Sequence, residues 1–254
     1  QPSNGVLIGL ILVPAVATLI IYLYSPIDAF AIARRAGRDY KLKEYNRASL
    51  YWLLVAMQLT YPVALIWGSR EYVYEAYLMP TRSMSPNFLV GDRILVNKRP
   101  LLNGIPERGA VIAFRAPASE VASIWIKRVI GVAGDRIVIR GREIEVNGKK
   151  LERERVPKES IAQIRKQVEG DVFYESNGGR RYRVLYADDS TDGPAVDEIN
   201  VTVPDRSVFV LGDNRDRSRD SRIIGSIHVG DVIGYVDYIY FPAETWSRFG
   251  VYRD

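Results

Sequence analysis

The sequence predicts a mostly β fold, in which an antiparallel-sheet domain is preceded by two transmembrane helices. Two long apolar runs without a charged residue lie near the N-terminus. After residue 70, short runs rich in β-branched and aromatic residues alternate with turn-forming residues. A chain of 254 residues has room for one large domain or two modest ones. These observations together indicate a membrane anchor followed by a β domain.

The first element is the pair of apolar runs, residues 5–24 and residues 50–68. Neither run contains a charged side chain, and each is about as long as a helix must be to cross roughly 30 Å of hydrocarbon. Buried helices of a soluble core, the alternative, usually carry charge on one face, which these runs lack. The runs therefore predict two transmembrane helices.

The connecting loop, residues 25–49, indicates how these helices are oriented. It holds more basic than acidic residues, and short basic loops stay in the cytoplasm. We therefore expect residues 1–4 to form a short extracytoplasmic N-terminus, and the chain after Arg70 to be extracytoplasmic as well. A plain solvated linker is the alternative interpretation of this charge run.

The β domain is expected to comprise residues 71–148 and 206–254. Its strand-like runs are separated by turn formers, among them Asn147-Gly148, a pair typical of tight turns with positive φ. The runs are RILVN, GAVIAF, IWIKRVIGV, RIVIRG, EIEVNG, YRVLYA, INVTV, SVFVLG and DVIGYVDYIYF. Residues 149–205 are more polar, and we interpret them as an inserted β sub-domain with a short helix around 158–168.

The composition excludes several kinds of chemistry. Without cysteine the chain can form neither a disulfide nor a thiolate metal site. The single histidine, His228, gives little support for a Ser–His–Asp triad or a zinc site, so we expect no metal and no cofactor. The net charge of +5 is mild, and no basic stripe interleaved with aromatic residues indicates nucleic-acid binding. Attraction to anionic membrane lipid is the more natural interpretation.

Three hydroxyl residues, Thr81, Ser83 and Ser85, stand in the segment MPTRSMSPNFLVGDRILVNK. If one of them is a nucleophile, lysine is the remaining base, and its pKa would have to fall by about three units for useful catalysis near pH 7. Burial in apolar surroundings can achieve this. Lys127, within IWIKRVIGV, is the lysine in the middle of an apolar run. The alternative for Lys127 is the solvent face of an edge strand.

A third polar segment, LGDNRDRSRDSRIIG, covers residues 211–225 between two apolar strands. A charge run is usually a solvated loop, but this position indicates a structured turn that holds its side chains in place.

The three segments together resemble the bacterial type I signal peptidases, or leader peptidases, which are membrane-bound Ser–Lys proteases. Four segments match in chain order: PTRSMSPNFLVGDRILVNK, RGAVIAFRAP, IKRVIGVAGDRI and GDNRDRSRDSRIIG. The two preceding apolar runs and their basic loop also fit. The resemblance covers nearly the whole chain except about residues 149–205.

The resemblance implies a role for each residue of the motifs. Ser83 matches the nucleophile, and Lys127 matches its general base. Thr81 matches a hydroxyl residue that completes the oxyanion hole beside the backbone N–H of Ser83, and Ser218 matches the serine that orients the lysine amine. Ser85 falls at a variable position and is expected to be a bystander. Residues expected to brace the site are Arg128, Asp213, Asp220 and Arg222.

The resemblance also implies pockets for small substrate side chains, often Ala, at the first and third positions before the cut. The residues expected to form them are Tyr77, Met79, Pro80, Met84, Phe88, Trp125 and Ile126. Core packing is the alternative for each. Two residues depart from the family pattern: Asn87 stands where Thr is usual, and Arg82 stands where Gly or another residue is common.

The function implied is a membrane-bound serine endopeptidase that removes signal peptides from exported preproteins. Its expected location is the bacterial inner membrane, with the catalytic domain on the extracytoplasmic side. Its expected partners are preprotein signal peptides, membrane lipid and the secretion translocon, without nucleic acid. Two alternatives remain open: a specialised Ser–Lys processing peptidase of a conjugation or pilin system, and a non-catalytic, membrane-anchored β domain that binds peptides.

Overall fold

The computed structural model describes residues 74–98, 106–117, 123–187 and 198–252, together with single residues between 20 and 60. The chain divides into two compact units, Gln1–Trp67 and Gly68–Asp254.

The described residues of the first unit have helical backbone conformation. Their large apolar side chains are exposed: Ile20, Tyr24, Ile27, Phe30, Trp52, Leu53, Val55 and Met57. The predicted spans, residues 5–24 and 50–68, lie for the most part outside the described residues. Among the residues that are described, no helix combines the length and the apolar character that crossing a membrane requires.

The second unit is built from antiparallel β-sheet, which confirms the mostly β fold. Its strands are β1 (Tyr74–Leu78), β2 (Arg93–Asn97), β3 (Val111–Arg115), β4 (Ile124–Val132), β5 (Arg136–Arg140), β6 (Glu143–Val146), β7 (Lys149–Lys150), β8 (Arg153–Arg155), β9 (Asp171–Asn177), β10 (Arg180–Tyr186), β11 (Glu198–Thr202), β12 (Ser207–Leu211), β13 (Ile227–His228), β14 (Val232–Phe241) and β15 (Gly250–Val251). The helical segments are α1 (Ser221–Ile224) and short 3-10 helices at Lys158–Gln167, Val229–Asp231 and Trp246–Arg248.

The largest sheet has the strand order β1-β2-β14-β3-β4-β12-β13, with β15 paired to β14. Strand β4 therefore lies between β3 and β12, and its central residues are buried. One face of the sheet covers a core that includes Met84, Phe88, Ile94 and Ile126. This core supports the segment between β1 and β2, where the candidate nucleophiles lie.

Two smaller sheets extend this frame. One has the order β11-β5-β6-β7 and so includes strands on both sides of residue 148, and the other has the order β10-β9-β8. The turn at Asn147-Gly148 has positive φ at both residues, 54° and 77°, as tight hairpin turns require. The helix expected around 158–168 is the 3-10 helix Lys158–Gln167.

The inserted segment packs against the nucleophile segment. Ile161 and Ile164 of the 3-10 helix share a buried cluster with Val168, Leu185 and Leu89. Because Leu89 lies between β1 and β2, this part of the inserted segment helps to support the loop that carries Ser83.

Candidate active site

Strand β4 carries Lys127 in the interior of the large sheet. The residue pairs with Ile112 of β3, and the next residue along β4 pairs with β12. Only 5% of Lys127 is exposed. The alternative of an edge strand facing solvent is therefore wrong for this lysine.

The amine of Lys127 meets the hydroxyl of Ser83. Lys127 Nζ donates a hydrogen bond of 2.8 Å to Ser83 Oγ. The lysine comes from β4 and the serine from the turn after β1; these strands are not neighbours in the sheet, but Ser83 and Lys127 line the same cleft. A general base must lie within about 2.6–3.2 Å of the proton that it takes, and this pair meets that requirement.

Burial changes the protonation of the lysine. Desolvation lowers the pKa of Lys127 to about 8, although the nearby carboxylates of Asp220 and Asp213 act in the opposite direction. The positive charge of Arg222 adds a smaller lowering effect on the pKa. With a pKa near 8, about a tenth of the molecules hold a neutral amine at pH 7, against roughly one in 2,500 for an ordinary lysine.

The turn that carries Ser83 is held by backbone hydrogen bonds. Within it, the N–H of Ser85 donates to the carbonyl of Arg82, at 3.0 Å. From outside it, Asn214 donates twice, from its backbone N–H to the carbonyl of Ser83 at 3.1 Å and from its side-chain amide to the carbonyl of Arg82 at 3.2 Å. Met84 is fully buried beside Ser83. The backbone of the serine is therefore fixed on both sides.

The other two hydroxyls of the segment have different surroundings. Thr81 Oγ1 lies 3.1 Å from Ser83 Oγ, at the exposed end of the turn. Ser85 is completely buried, and its hydroxyl has no hydrogen-bond partner among the described residues. Only Thr81 and Ser83 can therefore take part in a site that a substrate reaches.

Ser218 lies close to the dyad but is not hydrogen-bonded to it. Its hydroxyl is buried and finds no partner in the described parts of the chain, so the expected contact with the Lys127 amine is not present. A Cβ placed on Gly212 would come within 2.2 Å of Ser218 Oγ and 2.6 Å of the carbonyl oxygen of Ser83. Gly212 is therefore the residue that allows these two serine segments to approach each other.

Arg128 and Asp213 form a fully buried ion pair behind the site. Arg128 donates from Nε and Nη2 to the two oxygens of Asp213, at 2.7 and 2.8 Å, and from Nη1 to the carbonyl of Gly109 at 2.6 Å. Asn87, the departure from the usual Thr, donates 2.7 Å hydrogen bonds to Asp213 Oδ2 and to the carbonyl of Arg183. Asn87 thus joins the nucleophile turn to this ion pair.

Asp220 and Arg222 form a second support. Asp220 is the N-cap of α1, and its Oδ2 accepts from the backbone N–H of Gly212 at 2.9 Å. Arg222 donates to Asp220 and, from Nη2, to the carbonyl of Arg215 at 2.6 Å. The segment 212–222 is therefore a closed turn, as its position between two strands predicts.

An apolar cleft of about 400 Å³ opens beside the dyad. Five of the expected pocket residues line it: Tyr77, Met79, Pro80, Trp125 and Ile126. Met84 and Phe88, which were also expected there, lie instead in the core beneath the large sheet and are fully buried. The compact turn from Arg82 to Phe88 directs both side chains inward, because Phe88 and Asn87 each donate a backbone hydrogen bond to the carbonyl of Met84.

The single histidine, His228, is exposed at the end of β13, where its Nδ1 accepts from the N–H of Gly230 at 3.0 Å. It serves as the cap of a 3-10 helix.

Sequence reasoning missed a buried polar group next to the site. Glu175 of β9 is fully buried and binds Arg215, which the sequence analysis counted only as part of a charge run. A carboxylate that directly follows the apolar and aromatic run VFY, residues 172–174, was the available signal. Asn214 and Gly212 were also missed, because their roles arise from their close approach to the backbone of Ser83, which is distant in the chain.

A lysine buried in a β-sheet and bonded to an accessible serine in an apolar cleft defines a class of protein, the serine endopeptidases that use lysine in place of histidine as the base. The sequence model of the family described as "Signal peptidase, peptidase S26" matches residues 52–241. The chain belongs to this family.

Individual proteins named signal peptidase I are also similar to this chain. Signal peptidase I of Bacillus caldolyticus is 30% identical over 185 residues, which cover 73% of this chain and 89% of the relative. Signal peptidase I of Aquifex aeolicus is 32% identical over 208 residues, covering 70% of this chain and 80% of the relative. A crystal structure of a signal peptidase I from Enterococcus faecalis is 27% identical and covers 52% of this chain and 97% of its own, with a TM-score of 0.31.

Proposed function

We propose that this chain is a membrane-bound signal peptidase I, which cuts signal peptides from exported preproteins by Ser–Lys acyl-enzyme chemistry. The observation that carries the proposal is the 2.8 Å hydrogen bond from the buried Lys127 amine to Ser83 Oγ. A buried lysine with a pKa of about 8 has a chemical use as a base, whereas a non-catalytic peptide-binding domain would have none for it.

In the first step neutral Lys127 takes the proton of Ser83 Oγ while this oxygen attacks the scissile carbonyl carbon. A C–O bond forms and the tetrahedral oxyanion develops. The C–N bond then breaks, and the ammonium of Lys127 returns the proton to the departing amine of the mature protein. In the second step neutral Lys127 takes a proton from water while the water oxygen attacks the ester carbonyl carbon. The bond from this carbon to Ser83 Oγ then breaks, the ammonium of Lys127 returns the proton to Ser83 Oγ, and the signal peptide leaves with a free carboxylate.

The oxyanion is stabilised by the backbone N–H of Ser83 and by the hydroxyl of Thr81, which lies 3.1 Å from Ser83 Oγ. One such donor is worth about 3–4 kcal/mol of transition-state stabilisation. Ser218 is assigned to orienting the lysine amine, because its buried hydroxyl lies beside Gly212 and has no other hydrogen-bond partner among the described residues.

The substrate binds in the apolar cleft beside the dyad. Side chains of Tyr77, Trp125 and Ile126 leave room for small residues such as Ala at the first and third positions before the cut. An extended peptide can pair with a strand edge, with alternate side chains entering the pockets.

A membrane location brings this site to signal peptides that are still in the lipid. The two apolar runs, residues 5–24 and 50–68, would serve as spans with the basic loop in the cytoplasm and the β domain outside. The exposure of apolar side chains such as Trp52, Leu53 and Met57 supports this assignment, because lipid would cover them. Lipid and the secretion translocon are the partners that follow from it.

The proposal is tested with the full chain in detergent and a preprotein that carries an Ala-x-Ala site. We expect cleavage after the second Ala, and loss of cleavage in Ser83→Ala and in Lys127→Ala, each with unchanged secondary structure by circular dichroism. Retained cleavage in either variant would contradict the mechanism. Cleavage confined to pilin or conjugation precursors would instead favour the specialised processing peptidase.

A further inference from the structure

A buried carboxylate of the inserted segment is hydrogen-bonded to the polar segment that holds the Ser83 backbone. Glu175 of β9 is fully buried and accepts hydrogen bonds from Arg215 Nη2 at 2.5 Å and Nη1 at 2.9 Å. It also accepts from Arg153 Nε at 2.9 Å and from the hydroxyl of Tyr182 at 3.0 Å. Burial alone would raise the pKa of Glu175, but its ion pairs with Arg215 and Arg153 hold that pKa below the ordinary value.

Arg215 connects this carboxylate to the nucleophile. Its Nε donates to the carbonyl of Gly212 at 3.2 Å, and its backbone N–H donates to the carbonyl of Leu185 at 2.9 Å. The intervening Asn214 donates to the carbonyl of Ser83. The position of the Arg215 side chain therefore bears on the backbone that holds Ser83.

Tyr182 connects the same carboxylate to the base. Its ring lies 3.9 Å from the guanidinium carbon of Arg128, the residue that follows Lys127 in β4. Arg128 in turn binds Asp213, next to Asn214. The neighbouring strands β9 and β10 are thus connected to both segments of the dyad: Glu175 is connected to the Ser83 segment through Arg215 and Asn214, and the Tyr182 ring contacts Arg128 of β4.

We propose that Glu175 is a positioning residue for catalysis: through Arg215, and together with Tyr182, it sets the distance between Ser83 and Lys127. The inference rests on the proposed function and adds to it a mechanical role for the inserted segment. A buried ion pair contributes little net stability compared with apolar packing of the same volume, whereas a bidentate arginine–carboxylate pair fixes orientation strongly. Positioning is therefore the better physical reason for a carboxylate at this place.

The first test is Glu175→Gln in the full-length chain, because the amide keeps the shape but places an N–H donor against the donors of its arginine partners. We expect kcat to fall on the order of 10- to 100-fold, since displacements of about 1 Å at reacting groups have effects of this size. KM should stay within about twofold, because the hydrogen bonds described for Glu175 go to Arg153, Tyr182 and Arg215, none of which lines the cleft. The rate constant for acylation of Ser83 by a penem should fall with kcat, at full labelling amplitude.

The matched control is Arg153→Met, which removes a different partner of the same carboxylate and makes no contact with residues 212–215 in the described hydrogen bonds. It should lower the melting temperature while leaving kcat within about twofold. If Glu175 had a purely structural role, both variants would contain less active enzyme and would show a lower labelling amplitude. The acylation rate constant of the remaining active enzyme would be unchanged, and that result would overturn the proposal.

If Glu175→Gln does not fold, Tyr182→Phe decides the matter. It removes only the hydroxyl that donates to Glu175 and retains the ring over Arg128, and we expect a smaller fall in kcat, at least threefold. A wild-type kcat in Tyr182→Phe would then overturn the proposal. The proposed function fails on different evidence, namely cleavage by Ser83→Ala, so the two outcomes are distinguishable.

Discussion

Lys127 Nζ lies 2.8 Å from Ser83 Oγ, although 44 residues separate the two in the chain. The lysine reaches the serine from the interior of the large sheet, where it is only 5% exposed. Because the sheet desolvates the amine, its pKa falls to about 8, and a group that is normally charged becomes a usable base. The hydrogen bond and the lowered pKa have the same structural origin.

The pH dependence of cleavage should follow the lysine. Only the neutral amine can accept the proton of Ser83, so kcat/KM should rise about tenfold per pH unit below the pKa of about 8 and level off above about pH 9. Single-turnover cleavage between pH 5.5 and 10 measures this. A plateau already at pH 6 would contradict a lysine base.

The stability of the folded chain should depend on pH through the same lysine, and its lowered pKa fixes the direction of this dependence. The folded pKa of Lys127, about 8, is below its ordinary value of 10.5, so the unfolded chain binds more protons between these values. The difference of about two and a half units corresponds to about 3 kcal/mol of destabilisation below pH 8. Lys127→Met should therefore raise the melting temperature more at pH 7 than at pH 10. The exposed Lys149→Met should show no such pH dependence, and an equal gain at both pH values would contradict the burial argument.

Gly212→Ala should inactivate the protein by contact alone. A Cβ there would lie 2.2 Å from Ser218 Oγ and 2.6 Å from the carbonyl of Ser83, so the nucleophile turn has to move. We expect kcat to fall on the order of 100-fold. Gly134→Ala is the control, since Gly134 has a positive φ but an added Cβ meets no atom within 4 Å. It should lower stability and leave kcat unchanged; equal losses of kcat in the two variants would contradict the contact argument.

Removal of the Thr81 hydroxyl should lower kcat, whereas removal of the Ser85 hydroxyl should leave it unchanged. Thr81→Val keeps the shape but removes a hydroxyl 3.1 Å from Ser83 Oγ, and kcat should fall about 100-fold if this hydroxyl binds the oxyanion. Ser85→Ala removes a buried hydroxyl without a partner among the described residues. It should leave kcat and KM unchanged and stability equal or slightly higher. Steady-state kinetics of both variants on one preprotein measures the contrast.

A double-variant cycle should show that Arg128 and Asp213 are coupled in the free energy of unfolding. Arg128→Met leaves Asp213 buried without its main partner, which should lower the free energy of unfolding by about 3–5 kcal/mol. Arg128→Met combined with Asp213→Leu should recover much of that loss, because no uncompensated charge remains. Chemical denaturation of Arg128→Met, of Asp213→Leu and of the double variant in detergent measures the coupling between the two residues. A double variant as unstable as the sum of the single variants would contradict it.

Much of the site was predictable from local sequence. Lys127 stands out because a lysine in the middle of an apolar run has few ordinary explanations, and Ser83 stands out through its motif. The pocket residues were harder to predict. Tyr77 and Trp125 line the cleft, whereas Met84 and Phe88 turn into the core. An irregular turn has no fixed side-chain period, so its inward and outward positions do not follow from spacing.

The sequence by itself determined the mostly β fold, and it supplied the serine and the lysine of the proposed dyad in a chain with one histidine and no cysteine, because these depend on residue type and local pattern. Only the tertiary structure decided that β4 lies between β3 and β12 in the sheet, where burial lowers the pKa of Lys127. It also decided that Glu175, from a segment that looked like an elaboration, binds Arg215 of the polar segment 211–225. Both outcomes depend on contacts between residues far apart in the chain, and desolvation and ion pairing arise only when such contacts form.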